Sequence, residues 1–96
     1  MDIEKAKINL ETAKIAWVEL QRFFAAGMVI QVSKGQDLTG VALSISEDDA
    51  QTIGRLIDEG KISVVTDAKA LEFFESNAIV WSVVVKPYVL IQEIFE

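Results

Sequence analysis

The chain has 96 residues, fifteen of them acidic and nine basic, giving a formal charge of −6, and it contains neither cysteine nor histidine. That length holds a single domain, residues 1–96, and the missing residue types exclude disulfides, zinc sites of the usual kind and an imidazole base. The negative field disfavours nucleic acid and anionic membrane surfaces as partners.

A small domain without such staples holds together through apolar burial or self-association. Hydrophobic residues make up 51% of the chain, so the composition predicts a homodimer or higher oligomer. Met1-Asp2-Ile3-Glu4-Lys5 lacks the basic start and apolar run of a secretory signal. The greasiest stretch, 78–91, is broken by Ser82, Lys86 and Pro87 and falls short of the ~20 residues a membrane helix needs. These features predict a cytoplasmic protein.

Along the chain, Ile3, Ala6, Leu10, Ala13, Trp17, Leu20 and Phe24 step by three and four, which predicts one long helix over about 3–26, with Gly27 as its C-terminal cap. Ile8 and Ile15 lie off that stripe, and Thr12 offers a cap at which the helix could break into two. Met28–Ser33 alternates as a strand does. Residues 33–37 form a short polar connection containing glycine, suited to a hairpin. Leu38–Ser46 alternates again, with Gly40, Ala42 and Ser44 as a small-residue face.

Ser46 is positioned to cap a second helix, with Glu47, Asp48 and Asp49 complementing its dipole and Gly60 ending it. Gly54 inside that helix is unfavourable by about 1 kcal/mol relative to alanine, an expense consistent with another backbone approaching closely. Ile62–Val65 reads as a short strand. Thr66 or Asp67 caps a third helix that closes at Ser76-Asn77. Ile79–Val85 is apolar on both faces, the mark of a strand covered on both sides. Pro87 turns the chain, and Tyr88–Glu93 forms the last strand. The expected fold is α+β in two layers: a long N-terminal helix and two shorter helices packed on a mixed, mainly antiparallel sheet of four or five strands.

Catalytic equipment is sparse. A serine nucleophile such as Ser44 or Ser46 would need Lys61 or Lys86 as its base, and no spacing singles these residues out. The scattered glycines match no phosphate-binding pattern. Asp48 and Asp49, with Asp37 as a distant further ligand, are the candidates for a hard cation, although adjacent acids at a helix start usually serve the dipole. No cofactor is implied. Trp17, Trp81 and Tyr88 are the candidates for a ligand or interface surface. Trp17 lies on the core stripe, whereas Trp81 lies in a strand one face of which a second subunit could cover.

Glu11-Thr12-Ala13-Lys14-Ile15 with Trp17, Glu19-Leu20 and Phe24-Ala25-Ala26-Gly27 resembles the opening of the bacterial domain-of-unknown-function family 2288. Asp37-Leu38 with Val41-Ala42-Leu43 resembles its middle, and 87–93 (Pro-Tyr-Val-Leu-Ile-Gln-Glu) resembles its closing segment. The resemblance implies a compact stand-alone domain and carries neither an activity nor site residues. The residues themselves favour a non-catalytic, homo-oligomeric interaction or scaffold domain. A small-molecule binding domain with a pocket near Trp17 or Trp81 is the alternative, and an acid- or cation-dependent enzyme follows at a distance.

Overall fold

A computed structural model of the chain describes residues 12–94. The elements are β1 (Ala13–Ala16), a 3-10 turn (Trp17–Leu20), α1 (Gln21–Ala25), β2 (Val29–Val32), α2 (Leu38–Ser46), α3 (Ala50–Asp58), β3 (Ile62–Val64), α4 (Asp67–Glu75), β4 (Ile79–Val85) and β5 (Tyr88–Glu93). The five strands form one mixed sheet in the order β1-β4-β5-β2-β3. The β5–β2 pair is parallel and the other three neighbouring pairs are antiparallel. The protein is α+β, as expected.

The sheet is covered on both faces rather than one, because its strands alternate two sets of apolar side chains. Val32, Ile62, Val83, Val85 and Leu90 face α2, where Leu38, Val41 and Ala42 meet them. Val29, Val80, Val89 and Ile91 face Trp17, Leu20, Ala70 and Phe73, from the 3-10 turn and α4. The expected two layers are therefore three. Ile79–Val85 is apolar on both faces because a layer covers each: Val83 and Val85 meet α2, and Val80 lies with Trp17 and Phe73.

The long helix expected over 3–26 is not present within the described residues, and residues 3–11 lie outside them. From Ala13 the chain is an edge strand, then a 3-10 turn, then a helix of five residues. β1 supplies the ladder that β4 would otherwise lack on that side. Ile15, off the helical stripe, packs with Trp17 and Phe24 against the same core. The stripe residues Trp17, Leu20 and Phe24 still share one face, so the apolar pattern was real although one helix did not carry it. Gly27 closes α1 as expected, at φ +74, with the Gly27 and Met28 amides donating to Phe24 and Phe23 carbonyls at 2.9 Å.

Leu38–Ser46 is a helix and not the second strand of a hairpin. Both edges of β2 are occupied, by β5 and β3, so a hairpin partner would find no free ladder. The spacing Leu38, Val41, Ala42, Ile45 also fits one helical face, and the first three are buried. The small-residue face dissolves in the same change: Ala42 is buried in the core, and the Ser44 hydroxyl donates to the Gly40 carbonyl one turn back.

Ser46 ends α2 instead of capping the next helix, its hydroxyl donating to the Leu43 carbonyl. The chain reverses at Asp48, φ +56, and Asp49 caps α3 by accepting from the Thr52 amide at 3.2 Å and the Thr52 hydroxyl at 2.7 Å. Thr66 caps α4 as expected, accepting from the Lys69 amide at 3.1 Å. A Cβ added at Gly54 would meet nothing within 4 Å, so no backbone approaches there. The Lys86–Pro87 bond is cis in the two-residue connection between Val85 and Tyr88.

Candidate functional site

The densest polar arrangement among the described residues lies at the carboxyl ends of the parallel strands β2 and β5. Parallel pairing carries Ser33 and Gln92 to the same end of the sheet, and the 33–37 loop leaves from there towards α2. The Gln92 carboxamide donates to the Ser33 carbonyl at 3.0 Å and the Gln36 carbonyl at 2.7 Å. One side chain thus satisfies two loop carbonyls and fixes the loop's path. Next to this clamp a cleft of about 400 Å³ is lined by Lys34, Gln36, Asp37, Trp81, Gln92 and Glu93 among others.

Alternation turns the next residue, Glu93, to the opposite face. There its carboxylate meets the Lys69 ammonium at 2.6 Å, and the Gln31 carboxamide approaches the same oxygen at 3.4 Å. Lys69 also reaches Glu72 at 3.5 Å and lies 5.2 Å from the centroid of the Phe73 ring. The hydrogen bond to Glu93 raises the Lys69 pKa above its ordinary value. Partial burial opposes this, and the charges of Glu93 and Glu72 reinforce it. An ammonium held protonated in this way donates hydrogen bonds and does not act as an amine nucleophile.

A second, apolar cleft of about 260 Å³ runs between α1 and α4, lined by Trp17, Gln21, Phe24, Leu71 and Phe74 among others. Trp17 forms its floor and is 1% exposed. Its ring centroid is 5.6 Å from that of Phe24 and 5.1 Å from that of Phe73, both tilted.

The other residues singled out by sequence fall in separate places. Trp81 is half-buried on β4, with the Lys14 ammonium 5.1 Å from its ring centroid, and it lines the polar cleft. Tyr88 is half-buried at the start of β5 and packs on the α2 side of the core. Asp37 and Asp48 flank opposite ends of α2, a nine-residue helix roughly 13 Å long, so they do not converge. Asp49 is engaged by Thr52, whose hydroxyl, then amide, lower its pKa. Among the described residues, no group of three or more acids stands where it could hold a metal ion. Ser44 and Ser46 bond back to their own helix.

Sequence reasoning missed Gln31, Lys69, Gln92 and Glu93. Gln92 and Glu93 lie in the quoted closing segment, where two polar residues end an apolar strand; nothing in the sequence pointed to Lys69 or Gln31. No helix among the described residues is long and apolar enough to cross a membrane.

Comparison with known proteins agrees with this architecture. The solution structure of PA1075 from Pseudomonas aeruginosa superimposes with a TM-score of 0.86 at 40% identity, covering 100% of this chain and 89% of that one. No curated protein matches. The family model described as a protein of unknown function (DUF2288) matches residues 3–93. The chain belongs to the DUF2288 family.

Proposed function

We propose that the chain is a non-catalytic interaction module that associates with itself in the cytoplasm. The observation that supports this reading is the amount of large apolar side chain left in water. Val64 is 66% exposed, Ile57 and Leu71 are 56%, Ile79 is 55% and Phe74 is 49%. Single exposed apolar residues are ordinary, but several on so small a domain favour a covered surface. The acidic balance steers the module away from nucleic acid and anionic lipid. Sedimentation equilibrium tests the reading: a reversible shift to dimer or higher oligomer with concentration is expected. A monomer up to the solubility limit overturns it.

A second reading has its own support in the cleft next to the Gln92 clamp. Its volume of about 400 Å³ lies within the range of roughly 300–1,000 Å³ typical of ligand sites. Lys34, Asp37 and the Trp81 ring offer both signs of charge and an aromatic surface, which suits a small polar metabolite. A thermal-shift screen against metabolites is expected to give hits that Trp81→Ala abolishes. An empty screen removes this reading.

A further inference from the structure

The apolar cleft between α1 and α4 has two matching walls. Trp17, Gln21 and Phe24 line one side and Asp67, Leu71 and Phe74 the other, each set spaced by four and then three residues. α4 buries Ala70 and Phe73 in the core and turns a second apolar edge outward, with Leu71 and Phe74 each about half exposed. One apolar stripe is enough to join a helix to a core. The second borders an open channel of about 260 Å³, and a channel between two helices is a form that receives the apolar face of a third.

The charges around the channel select its occupant. Asp67 and Glu75 lie one turn before and one turn after Leu71, on the same side of α4. Neither forms an ion pair among the described residues, whereas the intervening Glu72 is held by Lys69. Glu75 stands in the last turn of α4, which has no basic residue. An acid there opposes the helix dipole, so folding does not call for it. A second copy is the wrong partner for this ridge. A two-fold contact centred on Leu71 sets Asp67 against Glu75 of the other copy when the helices run antiparallel, and each acid against its own equivalent when they run parallel. Carboxylates meet carboxylates either way. Residues 1–11 hold three acids and two lysines, so the chain's own amino-terminal stretch does not bring the complementary charge.

We infer that the α1–α4 cleft receives a basic amphipathic helix of another protein. Large apolar residues of that helix at i, i+4 and i+7 enter between Phe24 and Phe74 over Trp17, while lysine or arginine on its flank meets Asp67 and Glu75. The proposed self-association then falls to other surfaces, where Ile57, Val64 and Ile79 are exposed.

Two synthetic helical peptides test this against the full chain. Both carry leucine at i, i+4 and i+7; one has lysine and the other glutamate at the remaining positions. Isothermal titration is expected to show the lysine peptide binding about tenfold tighter than the glutamate peptide, with amide shifts gathered on α1 and α4. Asp67→Asn combined with Glu75→Gln is expected to weaken the lysine peptide about tenfold. Leu71→Ser with Phe74→Ser is expected to abolish its binding while the thermal melt and the self-association stay close to those of the wild type, since both side chains already stand half in water. Lysine-peptide binding that survives the double serine variant reports attraction to the net charge alone and overturns the assignment, as do equal affinities for the two peptides. Self-association lost in that variant overturns it as well, by giving the cleft to a second copy. So do nuclear Overhauser contacts from Ile3 or Leu10 to Phe74 in the isolated chain, which would show the cleft filled from within. A wild type that binds the lysine peptide but stays monomeric overturns self-association and leaves the helix site standing.

Discussion

The two faces of the sheet are held by different means. On one face Trp17, Phe24 and Phe73 lock together through tilted ring contacts, and at its margin the Lys69–Glu93 pair ties α4 to the last strand. On the other, aliphatic side chains of α2 meet Val32, Val83 and Leu90, and a neutral carboxamide clamp, Gln92, holds the loop that leads into α2. The aromatic face places much of its burial in one side chain, whereas the aliphatic face spreads it over many. A single truncation should therefore damage the first face more than the second.

That contrast fails most visibly if Trp17→Ala is mild. Trp17 is 1% exposed and touches two rings, so its removal is expected to destabilise the fold by about 3–5 kcal/mol. Leu38→Ala, at the rim of the aliphatic core and 7% exposed, should fall near the lower end of the roughly 2–5 kcal/mol range for such truncations. Urea midpoints at constant slope compare them directly. Equal losses would mean that the aromatic cluster is no keystone.

The two polar fastenings come next in size. Gln92→Leu keeps the side chain's bulk but leaves the Gln36 carbonyl without its carboxamide donor and the Ser33 carbonyl with only the Gln36 amide, at 3.3 Å. A loss of about 1–2 kcal/mol is expected, with faster amide exchange around 33–37 while the rest of the sheet stays protected. Lys69→Met is expected to cost about 1 kcal/mol at neutral pH, and it adds a pH signature. The Lys69 pKa is raised in the folded protein above 10.5. Its contribution is therefore fully present below that value and fades as the pH climbs through the higher folded one. Stability measured between neutral pH and about pH 12 should fall less steeply in the alkaline limb for Lys69→Met than for the wild type. Parallel curves would show that the pair with Glu93 adds nothing to stability.

The same contrast explains what was legible in the sequence. The extents of the elements from Ile62 onward were read nearly as they are, although the face that α4 buries carries Ala70 and Phe73 and leaves Leu71 and Phe74 exposed. Thr66 caps α4, Ile79–Val85 is apolar on both sides, and Pro87 allows only a turn. The aromatic face was legible as a stripe, Trp17, Leu20 and Phe24, but not as the strand and short turns that deliver it. A three-four spacing does not record that β4 needed an edge partner.

Leu38–Ser46 satisfied both periods, and the competition was settled by distant residues: β5 and β3 had taken both sides of β2. The Gln92 clamp and the Lys69–Glu93 pair join positions far apart in the chain, 56 residues in the case of Gln92 and Gln36. No local pattern encodes that meeting.

The smallest effect reverses the sign and probes how tightly the aliphatic face is built. Gly54 sits inside α3, the helix whose Ile53 and Leu56 pack on that face, yet a Cβ at Gly54 would enter open space. The residue has an ordinary helical backbone, since the glycines with positive φ are Gly27, Gly35 and Gly60. Alanine should then restrict the unfolded chain and favour the helix without a clash. Gly54→Ala is expected to stabilise the protein by about 0.5–1 kcal/mol. A thermal melt that rises by a few degrees fits a helix lying loosely on an aliphatic surface. A melt that falls would show that α3 is pressed against something at Gly54, and the lenient face would be the tighter of the two.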